Sequence, residues 1–270
     1  MTGESAPLEL HIESYGDGEA LVLAHGFGGS ARNFRALARG LRGRYRTVLY
    51  DARGHARSPA PLDPDAYVLP ELVADFAHVA RTTGAPRVVA GGLSLGAATA
   101  LAHALAHPES IAALVLAAYP AGGETGRRWA LAFADAIQDR GVSAAAAEFV
   151  SGPRSRFDDK AAAFIRQGFE EHQAHALVHL LRRTIAVFPP VQALGRSLAT
   201  LATPVLVIVG SKDERSLEAS EQLVELLPRA RLEVIDGAGH VVNLAAPRAF
   251  QRVVERFVDD VLRDKLVQRR

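Results

Sequence analysis

The sequence predicts an α/β protein built on a doubly wound, mostly parallel sheet with one inserted helical cap. Three observations lead there. Short, unbroken apolar runs recur at Ala20 to Ala24, Thr47 to Tyr50, Arg87 to Ala90, Leu114 to Ala117 and Pro204 to Val209, as expected of strands covered by helices on both faces. Helix-like segments separate most of them, and that alternation is what builds a parallel sheet. It stops between Ala121 and Leu201, where helical stretches follow one another with no convincing strand.

In chain order, Leu8, Leu10 and Ile12 alternate with Glu9, His11 and Glu13, the period of a half-buried antiparallel strand. Ser30 is a candidate N-cap for a helix from Ala31 to Arg39. Further helices are expected at Glu71 to Arg81, Leu95 to Ala106, Leu217 to Leu227 and Pro247 to Val261, with a last strand at Arg231 to Ile235. Inside the insertion, Arg128 to Asp139, Ser143 to Phe149 and Asp159 to Arg183 read as helices. The expected organisation is a core of residues 1–120 and 191–270 with a cap of residues 121–190, and no repeat or flexible linker is evident.

Composition narrows the chemistry. The 270 residues contain no cysteine, which excludes a thiolate nucleophile, an iron–sulfur cluster, a Cys-ligated zinc and a disulfide scaffold. Thirty-one basic and 30 acidic residues leave a charge of +1, with the arginines scattered, so nothing general draws the chain to nucleic acid or an anionic membrane. The stretch Met1 to Pro7 has neither a basic n-region nor an apolar core, and the longest apolar run, Ile111 to Tyr119, is about half a bilayer span. A soluble, cytoplasmic protein with a small-molecule partner is the expectation.

After the strand ending near Ala90 comes Gly91-Gly92-Leu93-Ser94-Leu95-Gly96-Ala97 and then a helix, which is Gly-x-Ser-x-Gly in its strand–turn–helix context. A serine on so sharp a turn takes a strained backbone conformation. Glycines two before and two after it are needed because side chains there would strike the neighbouring strand and helix. A serine hydroxyl is a poor nucleophile at neutral pH, so the reading demands a base and an orienting acid. Asp213, in Gly210-Ser-Lys-Asp213, and His240, in Gly237-Ala-Gly-His240, each follow a predicted strand, in the chain order Ser, acid, His. For a developing oxyanion, the candidate donors are the N–H groups of Phe27, in His25-Gly-Phe-Gly-Gly29, and of Leu95.

With these residues assembled, the chain resembles the α/β-hydrolase superfamily, specifically its cofactor-free, cap-bearing members such as carboxylesterases, enol-lactonases, meta-cleavage C–C hydrolases and non-haem haloperoxidases. The resemblance covers nearly the whole chain and rests on His25 to Gly28, Asp51 to Ser58, Gly92 to Gly96, Gly210 to Asp213 and Gly237 to His240. It implies an α/β-hydrolase fold and a Ser94–His240–Asp213 triad, with no metal, nucleotide or prosthetic group required. Ser94 stands where haloalkane dehalogenases and epoxide hydrolases of this fold carry aspartate. Two departures are visible: Ala56 replaces a usual glycine, and Ala245 replaces a frequent glutamate.

Other polar and aromatic residues each admit a simpler role beside a functional one. Asp51, Arg53 and His55 read as loop braces. His25 is a candidate substrate contact, with an orienting bond to backbone as the simpler role. Arg127 and Arg128 at the start of the cap are candidates to clamp a substrate carboxylate, against surface ion pairs. Trp129, Phe133, Phe149, Phe164, Phe169 and Phe188 are candidate walls of an apolar pocket. The spacing of His172, His175 and His179, and of His103 and His107, puts them on helical faces; without a third ligand they read as a surface or cap-facing stripe and not a metal site. Ester or lactone cleavage is the leading expectation, with C–C hydrolase or haloperoxidase-like chemistry as alternatives on the same fold. Two other classes stay open: a dinucleotide-binding oxidoreductase, from Gly26-x-Gly28-x-x-Ala31 with Asp51 about 20 residues on, and a ligand receptor with a retained triad.

Overall fold

Seven strands form one sheet: β1 (Ile12–Tyr15), β2 (Glu19–Ala24), β3 (Tyr45–Tyr50), β4 (Val88–Leu93), β5 (Ile111–Ala117), β6 (Val205–Gly210) and β7 (Ala230–Ile235). Their spatial order is β1-β3-β2-β4-β5-β6-β7, and all neighbours are parallel except β1 against β3. This is the α/β-hydrolase fold. The computed structural model describes residues 8–152 and 159–268. Met1 to Pro7, read for a targeting signal, and residues 153–158 of the expected cap lie outside them.

The helices are α1 (Arg35–Leu41), α2 (Leu69–Thr82), α3 (Leu95–Ala106), α4 (Gly123–Arg140), α5 (Val142–Phe149), α6 (Asp159–Phe169), α7 (Ala174–Arg183), α8 (Gly195–Ala199), α9 (Glu214–Leu226), α10 (Val242–Ala245) and α11 (Pro247–Gln268). Both faces of the sheet are buried, which is why its strands read as continuous apolar runs. Leu21 and Leu23 of β2 join the core formed with Phe34 and Leu37 near α1 and Phe250 and Phe257 of α11. Ala20, Val22 and Ala24 of the same strand face the opposite core, with Phe76 and Val79 of α2 and Leu101 of α3.

Three expectations need correction. The first strand begins at Ile12, not Leu8, because its partner β3 ends at Tyr50 and pairs Tyr50 with Ile12. His11 is instead tied to the loop beyond β3: its carbonyl accepts from Asp51 N–H (3.0 Å) and its N–H donates to Ser58 Oγ (2.9 Å). The helix after Ser30 opens as a 3₁₀ turn, Ala31–Phe34, and Ser30 N–H donates to Asn33 Oδ1 at 2.9 Å. The single helix expected over Asp159 to Arg183 is two, α6 and α7, and the turn between them carries His172 off the helical face shared by His175 and His179.

The sheet order places the site. The chain leaves β2 to one side for β3 and returns to the other side for β4, so strand order reverses between β2 and β4; such reversals leave a crevice at the carboxyl ends of the strands. Ala24 at the end of β2 pairs with Gly92 in β4, which sets the loop after β2 beside the turn after β4. Gly210 pairs with Ile235, which does the same for the turns after β6 and β7. No helix among the described residues is long and apolar enough to cross a membrane.

Candidate active site

Ser94 sits between β4 and α3 at φ 52°, ψ −111°, a left-handed conformation rare for a side-chain-bearing residue. The flanking glycines are required by space. A Cβ on Gly92 would lie 2.5 Å from the carbonyl oxygen of Ala24, and one on Gly96 would collide with the same carbonyl. Ser94 N–H donates to the Ala117 carbonyl of β5 at 2.9 Å, which pins the turn from the other side. Leu95 is the first residue of α3, where N–H groups lack intrahelical partners and carry the positive end of the helix dipole.

Asp213 is fully buried and His240 nearly so. Asp213 Oδ2 accepts from His240 Nδ1–H at 2.5 Å, and Ser216 Oγ lies 3.4 Å from the same nitrogen. With the proton held on Nδ1, Nε2 keeps its lone pair. The two turns are joined by backbone bonds, Lys212 N–H to Ala238 and Ser211 N–H to Ile235, each 3.0 Å.

Ser94 and His240 line one cavity of about 420 Å³. Phe27 and Leu95 line it at the loops after β2 and β4; Trp129, Phe133, Phe169 and Phe188 supply apolar walls from the insertion and its return. Phe149 is stacked on Phe133 (4.5 Å between centroids, planes 1° apart), while Phe164 is partly exposed beneath the guanidinium of Arg32.

The loop that carries Phe27 is braced by the residues read as braces. His25 is buried, its Nδ1–H donating to the Gly26 carbonyl (2.8 Å) and its Nε2 accepting from Ala52 N–H (2.9 Å). Both nitrogens are engaged with backbone and the residue does not line the cavity, which is the orienting role, the simpler of the two read for it. Because Gly26 C=O and Phe27 N–H belong to one peptide plane, that bond also aims the Phe27 N–H. Asp51 accepts from Ala31 N–H (2.8 Å) and Arg57 Nε (3.0 Å), and Arg53 forms a two-pronged pair with Asp75 (2.6 and 2.8 Å). Ala56 holds φ 43°, so alanine adopts here the conformation for which glycine is usual.

Arg127 and Arg128 are exposed and outside the cavity lining, and Arg128 lies 3.7 Å from Glu124 one turn back, the placement of the simpler surface role. His175 Nε2 lies 3.2 Å from the Ala60 carbonyl and His103 Nε2 lies 3.3 Å from Ser110 Oγ. Among the described residues no group of three or more His, Cys, Asp or Glu is placed to hold a metal. The dinucleotide fingerprint fails on geometry: Phe169 covers Gly28, where a Cβ would collide with its ring, and Asp51 is already committed to the backbone and Arg57. Sequence reasoning missed Ser216 and the polar rim of Gln192, Arg215, Glu218 and Gln222. The 3.6-residue period counted on from Asp213 would have put Arg215, Glu218 and Gln222 on one helix face.

The alpha/beta hydrolase fold family model matches residues 19–247. A Bacillus subtilis protein named as a 2-succinyl-6-hydroxy-2,4-cyclohexadiene-1-carboxylate synthase is 28% identical, with 90% of this chain and 91% of that protein covered. A Pseudomonas savastanoi protein named as the carbamate hydrolase RutD is 29% identical, covering 93% and 98%. Among solved structures, an esterase from Thermogutta terrifontis superposes with a TM-score of 0.84 at 23% identity over 96% of both chains. The enol-lactonase from Burkholderia xenovorans LB400 does so with 0.82 at 22% identity over 94% of this chain and 99% of the other.

Proposed function

The chain belongs to the alpha/beta hydrolase family, and from that premise we propose that it is a serine hydrolase that cleaves a carboxylic ester or lactone through an acyl-enzyme. The observation that carries the reading is the bond of 2.5 Å from His240 to buried Asp213 at the wall of the cavity that Ser94 also lines. Ser94 Oγ attacks the carbonyl carbon while His240 Nε2 takes its proton; Asp213 holds the imidazole tautomer and stabilises the imidazolium. The tetrahedral oxyanion accepts from Phe27 N–H and Leu95 N–H. The proton on Nε2 then passes to the departing alkoxide oxygen, and in the second half-reaction His240 activates a water against the acyl-Ser94 ester.

The helical insertion acts as a cap. It contributes Trp129, Phe133, Ile165 and Phe169 to the cavity wall, so it shapes the space available to the acyl and leaving groups. The relatives carry names from more than one reaction class, and the test is therefore a panel: p-nitrophenyl esters, lactones, carbamates and C–C hydrolase substrates, each assayed with wild type beside Ser94→Ala. Turnover of esters or lactones that vanishes in Ser94→Ala supports the reading. A fluorophosphonate probe should label Ser94; labelling that persists at another serine in Ser94→Ala overturns it.

A further inference from the structure

Three imidazoles stand in a buried row beside the loop that carries Phe27. The His25 and His55 rings are 4.8 Å apart and edge-on (73°), and the His55 and His172 rings are 4.9 Å apart and edge-on (75°). His25 and His55 belong to the core; His172 comes from the insertion, in the turn between α6 and α7. Each ring accepts a backbone N–H from a core loop. Ala52 donates to His25 Nε2 (2.9 Å), Gly28 to His55 Nε2 (3.1 Å), and Ala56 to His172 Nδ1 (2.8 Å). An accepting nitrogen carries no proton, so each imidazole is neutral, and its tautomer is set. His55 has its proton on Nδ1, facing the Arg53 carbonyl at 3.1 Å, and His172 on Nε2. Burial pushes all three below the ordinary histidine range, His172 to about 4.

We propose that His172 is a positioning residue through which the insertion holds the oxyanion loop in register: its ring backs His55, which fixes Gly28 N–H one residue from the donor Phe27. A second contact runs the same way. Phe169, three residues before His172, lies over Gly28 with its ring 5.6 Å from that of Phe27. The loop is thus held by His25 and His55 through hydrogen bonds to Gly26 and Gly28 and covered by Phe169, with His172 behind His55. Ala56, whose N–H His172 accepts, sits in the left-handed conformation that the core alone would have to sustain without that bond. Placement of the insertion and placement of the Phe27 N–H are therefore one mechanical unit, and moving the first by a fraction of an ångström misaims the second.

The inference rests on the serine hydrolase reading, and the experiment separates the two. His172→Leu removes the acceptor and keeps bulk; His172→Asn restores an acceptor oxygen close to the position of Nδ1. With p-nitrophenyl butyrate, His172→Leu should lower kcat about 10- to 100-fold with KM within about twofold, because oxyanion contacts form only in the transition state. The rate of fluorophosphonate labelling should fall in parallel, and His172→Asn should recover both to within about threefold of wild type. A kcat within twofold of wild type in His172→Leu overturns the proposal, as does a kcat loss that His172→Asn leaves unrescued at wild-type melting temperature. If His172→Leu does not fold, His55→Gln and His55→Leu carry the test. Gln keeps an acceptor for Gly28 and should keep kcat while Leu loses it; equal kcat in the two overturns the proposal. Activity that survives Ser94→Ala would instead bring down the hydrolase reading itself.

Discussion

The turns at the carboxyl ends of β2, β4 and β7 and the helical insertion between β5 and β6 wall the same cavity, but different forces hold them. The turns are held by backbone: Ser94 N–H on Ala117, Lys212 N–H on Ala238, and glycines where a Cβ would strike a carbonyl. The insertion is held by side chains, an aromatic cluster of Trp129, Phe133, Phe149 and Phe169 together with a few polar ties such as Arg182 to Asp135 (2.6 Å) and Thr184 to the Tyr67 carbonyl. Backbone geometry tolerates one or two residue types at a position, whereas an apolar contact tolerates any side chain of about the right volume. Chemistry is expected to reside in the first region and selectivity in the second.

The sharpest way to break that contrast is at the turns. Ser94→Ala should lower kcat by about 10⁴- to 10⁶-fold on any hydrolysed ester, because triad members act as a unit, while the melting temperature stays near wild type. Asp213→Asn, which keeps the side chain's size but leaves the imidazole without its anionic partner, should cost about 10⁴-fold. Steady-state kinetics beside thermal unfolding measures both. A loss below tenfold in either would remove the chemistry from these turns.

The insertion should respond in a graded manner. Trp129→Ala and Phe133→Leu should shift relative kcat/KM among p-nitrophenyl acetate, butyrate and octanoate by about 10- to 200-fold, the worth of one to a few methylenes in an apolar pocket. An unchanged chain-length profile would move selectivity to the loop near Phe27.

Acid should loosen the junction between the two regions. Burial lowers His172 from the ordinary value of 6.5 to about 4. Between those limits the unfolded chain binds a proton that the folded chain does not, so the contribution is complete above pH 6.5 and is lost as pH falls toward 4. By pH 5 the loss amounts to about 2 kcal/mol. Denaturant midpoints at pH 7 and pH 5 should therefore differ more for wild type than for His172→Leu. The smallest effect is expected outside the cavity: Arg127→Ala and Arg128→Ala are exposed, and kcat/KM should stay within about twofold even for an anionic ester.

Much of this was legible in the chain before it folded, for reasons tied to particular residues. Gly92 and Gly96 announce the serine turn because nothing larger fits beside the Ala24 carbonyl. The apolar runs announce buried strands because helices cover both faces, and α3 falls on its expected bounds, Leu95–Ala106. The first strand starts later than its alternation suggests because its extent depends on where β3 ends, a fact about the partner and not about Leu8 or Leu10.

What the sequence by itself determined is the set of positions where backbone sterics and chain order admit few residues: the strand runs, the glycine turns, and Ser94, Asp213 and His240 in order at strand ends. What only the tertiary structure decided is which side chains meet across long separations. His172 reaching Ala56 over 116 residues and Phe169 covering Gly28 left no local signal. A turn constrains its own residues through covalent geometry, but a contact between distant elements is chosen by packing and burial, which exist only once the chain has folded.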